Sequence, residues 1–594
     1  MTSAPRGAAR RPSPLAILAC VSAIAAGGCA TVPTSGPPRL IKRPPHDLTQ
    51  GENFPQLIPA PPGNKWTPRQ IVSGFLVASA SFADTVAREY LAPRAQSWKP
   101  GWAVTVVSQP KVQQPTTFPH LTGQSSGGTA TVEVSGQKLA TLNDNGQYQV
   151  PPGSVTQKIR FSLKKINGQW RITNPPPRLL LSKADFLRVY QPRNLYFFAS
   201  SGRTLVPDPV FVPLQATTTD LAKGLVEALK QRPLGYLQGV TQTSFPPGTK
   251  LLSLSIAGSG AIVNLGGAIA RAAPAVQANA AAQLVWTLTS PSYERSAIAS
   301  VRLEINGRPL RLRGSADGAE LLGNYKWMVP QPSAGAGLTF IGDNGVIQLL
   351  SASHAAAHPS PVRGQAGTGL VPMTSIAVSP PDERFIAGIS PGGKVVRFGS
   401  LAKGATLRSW RPGGTSTSLS WDSHGDLWVA TTHGVWLRPP GGKPPIAVDI
   451  GLLPGDRISA LRVAPDGVRI AVIVRGKSPP QVQIGAITRG KNAASIGQLV
   501  PIGQRIRDPT ALSWYDADYL MVLDSPGGAG AALQRVPVNG GQPTLVLPER
   551  RIVSLATAGS HIVAGLRGGQ IVTFGGLAGG WGPLVAGEDP AYPG

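Results

Sequence analysis

Cys29 is the residue to which the sequence assigns the most specific chemistry. It follows three small residues, Ala26-Gly27-Gly28, at the end of a short apolar run that starts at Leu15 and is preceded by three arginines. Small residues let a signal peptidase bind the chain in extended form, and the thiol of a cysteine placed directly after them can be alkylated by a diacylglyceryl group. We therefore predict a lipoprotein signal peptide at residues 1–28. Cys29 is predicted to be an S-diacylglyceryl cysteine whose freed amine can also take an acyl chain such as palmitate.

An ordinary secretory signal with an incidental cysteine is the alternative. The third position before Cys29 holds Ala26, where leucine is usual in lipoprotein signals. The apolar run is shorter than the roughly 20 residues of a membrane-spanning helix, so both interpretations predict export. Cys20 lies in the segment that would be removed, and we assign it no role in the mature protein.

The histidines and carboxylates predict neither a metal site nor a cofactor. His354 and His358 are four residues apart, but only alanines separate them and Pro359 follows. A zinc hydrolase of this spacing needs a glutamate between the histidines and a third ligand, so we interpret the segment as a loop. Three aspartates recur at similar points of an internal repeat: Asp382, Asp422 and Asp466. Aspartate favours turns because it bonds its own backbone, and calcium binding is the alternative.

Two short motifs match nucleophile or phosphate sites only in form. Gly123-Gln124-Ser125-Ser126-Gly127 lies in a polar, glycine-rich loop, whereas a nucleophile elbow needs a strand before it and a helix after it. Gly476-Lys477-Ser478 lacks the earlier glycine of a phosphate-binding loop, because that position is Ala471. We predict no catalytic residue and no enzymatic activity.

The charge balance predicts an anionic partner. The 594 residues contain 56 Lys and Arg against 29 Asp and Glu, a net charge of +27. Removal of residues 1–28 takes away three arginines and no acid, so +27 becomes +24. Because the chain is exported, nucleic acid is excluded as the expected partner, and we predict attraction to a membrane surface instead.

Residues 29–64 are predicted to form a proline-rich tether. They contain nine prolines and little hydrophobic periodicity. Such a segment favours an extended polyproline conformation of about 3 Å per residue, which reaches roughly 100 Å. A disordered leader without a length requirement is the alternative.

Residues 65–190 are predicted to form an α+β domain. Thr67-Pro68 is typical of a helix start, and apolar residues then follow at the spacing of one helix face as far as Tyr90. Four strand-like segments follow, and Asn167-Gly168 between the last two predicts a hairpin. The order of elements resembles the NTF2-like cone fold of other exported lipoproteins.

Residues 193–315 are predicted to form a second α+β domain. A strand at Leu195–Ala199 precedes a helix with Leu221, Leu225 and Leu229 on one face. Pro246-Pro247-Gly248-Thr249, a long alanine-rich helix and a final strand ending in Asn306-Gly307 come next. This block resembles the GerMN domain of sporulation and germination proteins.

Residues 326–594 contain five repeats of two apolar strands around a polar turn, which predict an all-β propeller of five or six blades. The repeats align on Ile376, Leu419, Leu461, Leu512 and Leu555. Strands from residues 337–350 are expected to complete the final blade and close the ring. Trp421 and Trp514 share one repeat position, where we expect core packing, with an aromatic binding surface as the alternative.

The three parts in this order resemble the actinobacterial lipoprotein LpqB family. The residues that carry the resemblance are Cys29-Ala30-Thr31-Val32-Pro33, Trp170-Arg171-Ile172 before Asn174-Pro175-Pro176, the GerMN-like block and the propeller. The resemblance implies a non-enzymatic accessory, lipid-anchored on the extracytoplasmic face of the cell membrane. It further implies contact with the extracytoplasmic domain of an MtrB-like sensor histidine kinase, modulation of an MtrAB-type two-component system, and effects on cell-wall homeostasis and division.

Two other functions stay open at this point. A cell-wall ligand-binding or hydrolytic lipoprotein could act through the propeller or a pocket of the cone, although hydrolysis needs a positioned acid–base pair. A structural scaffold without a signalling role would leave kinase output unchanged on deletion.

Overall fold

The computed structural model describes residues 59–99, 103–113, 128–143, 146–151, 154–214, 217–233, 235–291, 296–311, 319–331, 335–351, 358–380, 384–526, 531–548, 551–576 and 579–594. The predicted signal peptide, Cys29 and most of the predicted tether lie outside the described residues, as do His354, Asp382 and the motif at 123–127. The fold class predicted from the sequence is confirmed, since two α+β domains precede a propeller.

The first domain packs one longer helix and two short ones against a sheet. Its helices are α1 (Pro68–Ala80), α2 (Asp84–Glu89) and α3 (Lys183–Val189). Its strands are β1 (Val104–Val107), β2 (Lys111–Gln113), β3 (Thr129–Leu142), β4 (Tyr148–Gln149), β5 (Val155–Ile166), β6 (Gln169–Ile172) and β7 (Leu179–Ser182). The sheet order is β6-β5-β3-β1-β7, antiparallel except between β1 and β7, and β2 and β4 also pair with β3.

The predicted helix start at Thr67 is confirmed, but the helix does not continue to Tyr90. Thr67 and Gln70 form a reciprocal capping box, which satisfies the free amides at the start of α1. The helix stops at Ala80, and Phe82 adopts a left-handed φ of 51° before α2 begins. The periodicity persists across this break because the side chains on both helices pack into one core with Phe161 and Val132.

The second domain joins two sheets around a buried helix. Its strands are β8 (Tyr190–Ala199), β9 (Leu205–Pro213), β10 (Thr241–Gln242), β11 (Thr249–Ala257), β12 (Gly260–Gly267), β13 (Ser300–Ile305), β14 (Arg308–Pro309) and β15 (Ala319–Leu321). The helices are α4 (Thr218–Leu229) and α5 (Pro274–Thr289). The sheets run β10-β8-β9 and β11-β12-β13-β14, with β12 and β13 parallel. Residues 280–289 of α5 are all buried, so this helix forms the centre of the core.

The described part of the propeller has six blades, numbered here in chain order. Blade 1 contains β16 (Leu338–Ile341), β17 (Ile347–Leu350) and β18 (Ser360–Pro361). Blade 2 contains β19 (Ser375–Val378), β20 (Phe385–Ile389), β21 (Val396–Ser400) and β22 (Arg408–Trp410). Blade 3 contains β23 (Ser416–Trp421), β24 (Leu427–Thr431), β25 (Gly434–Arg438) and β26 (Ile446–Ile450).

Blades 4 to 6 follow the same antiparallel pattern. Blade 4 contains β27 (Arg457–Val463), β28 (Arg469–Arg475), β29 (Gln481–Arg489), β30 (Ala494–Ile496) and β31 (Val500–Ile502), and β30 also pairs with β26 of blade 3. Blade 5 contains β32 (Pro509–Trp514), β33 (Tyr519–Asp524), β34 (Ala532–Pro537) and β35 (Thr544–Pro548). Blade 6 contains β36 (Ile552–Ala558), β37 (His561–Leu566), β38 (Gln570–Phe574) and β39 (Trp581–Ala586).

The ring closes in a different blade from the one predicted. Residues 337–350 do not complete the final repeat, because β39 gives blade 6 a fourth strand of its own. Instead the C-terminal strand β40 (Glu588–Ala591) pairs with β16 and becomes the innermost strand of blade 1. Pairing the two ends of the propeller in one blade covers the edge that β16 would otherwise expose.

Candidate functional site

The two repeat aspartates that the structure describes, Asp422 and Asp466, stabilise turns of the propeller. Asp422 is buried, and its Oδ1 accepts hydrogen bonds from the backbone amides of His424 and Asp426. Its Oδ2 accepts from Trp428 Nε1 at 2.8 Å and from Arg489 Nη2 at 2.5 Å. These donors occupy the carboxylate and hold the turn, as expected for aspartate at such a position.

Asp466 forms the equivalent turn in blade 4. Its Oδ1 accepts from the amides of Val468 and Arg469, and its Oδ2 accepts from Arg469 Nε at 2.6 Å. The Arg469 guanidinium also donates to the Ala517 carbonyl at 2.8 Å and lies 5.0 Å from the ring centre of Trp514. Among the described residues, no group of three or more His, Cys, Asp or Glu side chains is arranged to hold a metal ion.

Trp421 and Trp514 are core residues that join neighbouring blades. Both are buried, at 6% and 4% exposure. Trp421 Nε1 donates to the Ala377 carbonyl at 3.2 Å, and Trp514 Nε1 donates to the Arg462 carbonyl at 3.1 Å. Each indole therefore satisfies its polar atom on the preceding blade, as buried tryptophan requires.

A buried polar junction joins all three domains, and sequence reasoning missed it. Gln147 of the first domain donates from Nε2 to Asp208 Oδ2 of the second at 3.1 Å. Asn194 of the second domain donates from Nδ2 to Asp518 Oδ1 of the propeller at 2.6 Å. We call these four residues, together with the neighbouring Arg469 and Tyr236, the three-domain junction. Its partners lie up to 324 residues apart in the chain, so spacing alone could not group them.

The electrostatics of the junction centre on Asp208. Burial raises the pKa of its carboxyl to about 7, even though the Gln147 hydrogen bond and the Arg469 charge act in the opposite direction. A signal for this residue does exist in the sequence, since Asp208 is the one charge in the apolar strand β9. Apolar contacts surround the polar ones: Leu237 and Val240 of the second domain pack on Val468 and Ala486 of the propeller.

The exposed face of the first domain's sheet is strongly basic. Lys158, Arg160 and Lys164 alternate along β5 with side chains that pack inward, and all three are exposed. Arg171 of β6 pairs with Lys164 of β5. Ser135 of β3 lies between Lys158 of β5 and Lys111 of β2. We call the five basic residues the basic sheet face: Lys111, Lys158, Arg160, Lys164 and Arg171.

A polar cavity of about 210 Å³ lies among the innermost strands of the propeller. Arg462 Nη1 donates to Ser418 Oγ and to the Leu419 and Leu461 carbonyls at 2.8–3.0 Å. Asp589 of β40 also lines the cavity and accepts from the Ile376 amide at 2.6 Å. Burial raises the pKa of Asp589 to about 6, against the effects of the Ile376 bond and the Arg462 charge. Hydroxyls from four of the innermost strands also line the cavity: Thr417, Ser459, Thr510 and Ser554.

No helix in the described part of the chain has the length and apolar character needed to cross a membrane.

Three family models match the chain in the order of its domains. Residues 61–187 match the N-terminal domain of lipoprotein LpqB. Residues 194–311 match a model described as sporulation and spore germination, and residues 348–593 match the lipoprotein LpqB beta-propeller domain.

Curated relatives match over nearly the full length. The chain is 31% identical over 644 residues to lipoprotein LpqB of Thermobifida fusca (strain YX), covering 99% of this chain and 100% of the relative. It is 31% identical over 575 residues to lipoprotein LpqB of Streptomyces avermitilis, covering 91% and 90% of the two chains.

Solved structures resemble single parts of the chain. The first GerMN domain of the sporulation protein GerM from Bacillus subtilis is 22% identical, with a TM-score of 0.17, and the match covers 20% of this chain and 86% of that one. A chain of a nidogen/laminin complex is 12% identical, with a TM-score of 0.33, and the match covers 44% and 94%.

Proposed function

Because this chain belongs to the actinobacterial lipoprotein LpqB family, we propose that it is a lipid-anchored extracytoplasmic accessory of a sensor histidine kinase. In this proposal it binds the extracytoplasmic domain of an MtrB-like kinase and modulates an MtrAB-type two-component system. Cell-wall homeostasis and division would respond to that signal. Cys29 carries the lipid, and the protein acts by binding rather than by bond-breaking chemistry.

The observation that carries the proposal is the three-domain junction. Side chains of the first domain, the second domain and the propeller are all buried there: Gln147 is 9% exposed, Asp208 5%, Asn194 2% and Arg469 1%. The contacts that cross between the domains are buried hydrogen bonds from Gln147 to Asp208 and from Asn194 to Asp518. Loss of either partner leaves a buried polar group unsatisfied at a cost of about 1–3 kcal/mol, so these bonds favour one arrangement of the domains. A fixed arrangement suits an adaptor, because it sets the distance between a membrane-proximal domain and a surface that contacts a partner.

The family and the surface charge support the place of action. Lipoproteins of this family are membrane-anchored, and the basic sheet face lies on the domain that follows the predicted tether. Lipid anchoring becomes stable when an acyl anchor is combined with a basic surface. The extracytoplasmic side follows from the predicted export signal.

Crosslinking in intact cells tests the proposal. The chain with Cys29 intact and an affinity tag at its C-terminus is crosslinked, purified under denaturing conditions, and its partners are identified by mass spectrometry. A sensor histidine kinase with an extracytoplasmic domain should be enriched over a tagged lipoprotein of similar abundance. Recovery of the lipoprotein from the membrane without enrichment of any sensor kinase would overturn the proposal.

The propeller cavity favours a second candidate function, the binding of a cell-wall ligand. Nε and Nη2 of Arg462 have no hydrogen-bond partner among the described residues, and they lie beside a carboxyl and a group of hydroxyls. Such groups can bind a small hydroxylated molecule. Micromolar binding of muropeptide or glycan fragments to the purified chain, lost in Arg462→Met, would support this function. Absence of binding at millimolar fragment concentration would reject it.

A further inference from the structure

The basic sheet face is built mainly of polar positions, with the partly buried Ile166 of β5 at its end. Its outward-facing residues on β3 and β5 pair as Thr129 with Lys164, Thr131 with Ser162, Glu133 with Arg160, and Ser135 with Lys158. Residues that alternate with them, such as Val132 and Phe161, are buried in the core. The described part of the face therefore offers little apolar area to a protein partner, and its contacts are mainly electrostatic and hydrogen-bonded.

The positive charge on this face is largely uncompensated. Glu133 is the one acidic residue on the described strands of the face, and it lies 3.8 Å from Lys158 Nζ and 3.3 Å from Arg160 Nε. The Lys158 and Arg160 side chains are still 64% and 78% exposed, so the ion pairs are solvent-accessible and weak. Five basic residues against one acid leave a net charge of +4 on one side of a sheet.

The position of this domain in the chain points to one kind of partner. The described structure begins at Pro59, 30 positions after the predicted lipid attachment at Cys29. A tether of this length keeps the first domain within roughly 100 Å of the bilayer, which gives its surface a high effective concentration at the lipid headgroups. Each Lys or Arg close to an anionic membrane adds to the attraction, so even a few exposed residues bind measurably.

We propose that the basic sheet face is a docking surface for anionic phospholipid headgroups, which holds the first domain against the membrane. The proposal deepens the anchoring part of the proposed function and does not depend on the identity of the kinase. Docking through this face would fix the orientation of the whole body, because the three-domain junction joins the other two domains to the first.

Vesicle sedimentation tests this surface without the lipid anchor or a kinase. The mature chain carrying Cys29→Ser is mixed with vesicles of phosphatidylcholine alone, or of phosphatidylcholine and phosphatidylglycerol in equal parts. We expect binding to the anionic vesicles only, with affinity that falls as salt is raised. The triple variant Lys158→Glu, Arg160→Glu, Lys164→Glu should bind at least about tenfold more weakly, given the contribution of each charge.

A matched control separates this face from the net charge of the protein. Lys394→Glu, Lys443→Glu and Lys491→Glu change the same total charge at exposed positions of the propeller, and this variant should keep most of its vesicle affinity. Equal losses in the two variants would overturn the proposal, because binding would then follow net charge alone. The proposal would also be overturned if the Cys29→Ser chain did not bind the anionic vesicles. Binding of the chain to soluble polyphosphate but not to the vesicles would overturn it as well. Thermal melting of both variants, and a Lys158→Gln, Arg160→Gln, Lys164→Gln variant that avoids new acids, exclude unfolding as the cause.

Discussion

The side-chain amide of Gln147 donates a hydrogen bond of 3.1 Å to the carboxylate of Asp208, and this contact joins the first domain to the second. Tyr148 strengthens the same boundary, since its ring lies 5.2 Å from that of Phe211. Asn194 and Asp518 join the second domain to the propeller by a bond of 2.6 Å. The three domains therefore share buried polar contacts that position them for function.

The stability of the junction should depend on pH through Asp208. Its pKa is raised by burial to about 7 from an ordinary value of 3.8. The folded chain therefore keeps a proton that the unfolded chain loses, and stability falls by roughly 1.4 kcal/mol per pH unit as the pH rises from about 4 to about 7. Asp208→Asn removes this dependence, so its melting temperature should exceed that of the wild type by a margin that grows between pH 4 and pH 8. Asp449→Asn, at an exposed position, is the control, and an equal pH trend in both variants would contradict the assignment.

Replacement of Arg469 should destabilise blade 4. Arg469→Met leaves the carboxylate of Asp466 buried without its guanidinium partner, which should cost about 3–5 kcal/mol. Urea unfolding followed by tryptophan fluorescence measures the loss. Arg457→Met, at an exposed position of the same blade, should change the free energy of unfolding by less than about 0.5 kcal/mol. The double variant Asp466→Asn, Arg469→Met should recover part of the loss, and no recovery would argue against the buried charge as its cause.

Removal of residues 588–594 should open the propeller. Without β40, the strand β16 loses the pairing of Thr339 with Ala591 and of Ile341 with Glu588, and an unpaired edge remains. We expect a lower melting temperature and concentration-dependent association on size-exclusion chromatography. A synthetic peptide of residues 588–594 should reverse both effects, whereas a scrambled peptide should not. A truncated chain that stays monomeric and equally stable would show that closure through β40 is dispensable.

Replacement of Cys29 should release the protein from the membrane. Cys29→Ala removes the thiol proposed to carry the diacylglyceryl group, and the protein should move from the membrane fraction to the soluble fraction or the medium. Cys20→Ala is the matched control, since Cys20 lies within the predicted signal peptide. Fractionation followed by immunoblotting measures the distribution. Membrane retention of the Cys29 variant would indicate another anchor.

The repeats and the local signals of the fold could be predicted from the sequence because their physical causes are local. Aligned positions such as Leu419 and Leu512 are buried in each blade, and Asn167-Gly168 forms a hairpin in which both residues adopt positive φ. Thr67 caps its helix because the capping box needs only four consecutive residues. The break at Phe82 was not predictable, since packing against Tyr190 of a distant segment accompanies its unusual φ.

The features that sequence reasoning missed depend on distant partners. Blade 1 was not predicted as a separate blade because β16 and its partner β40 lie about 250 residues apart in the chain. The three-domain junction was not predicted for the same reason. The charged Asp208 within an apolar strand was the one local signal of it. The sequence placed Asp422 and Asp466 in turns and Trp421 and Trp514 in the core, because each makes contacts within its own blade or an adjacent one.

Reconstitution with the kinase tests whether the lipoprotein modulates kinase activity. The lipidated protein and a full-length MtrB-like sensor kinase are incorporated into vesicles, and the initial rate of kinase autophosphorylation is measured with and without the lipoprotein. We expect a change of at least about fivefold, the lower end of typical coupling between sites, and we expect Cys29→Ala to abolish it. Identical rates with and without the lipidated wild-type protein would contradict the proposed modulation.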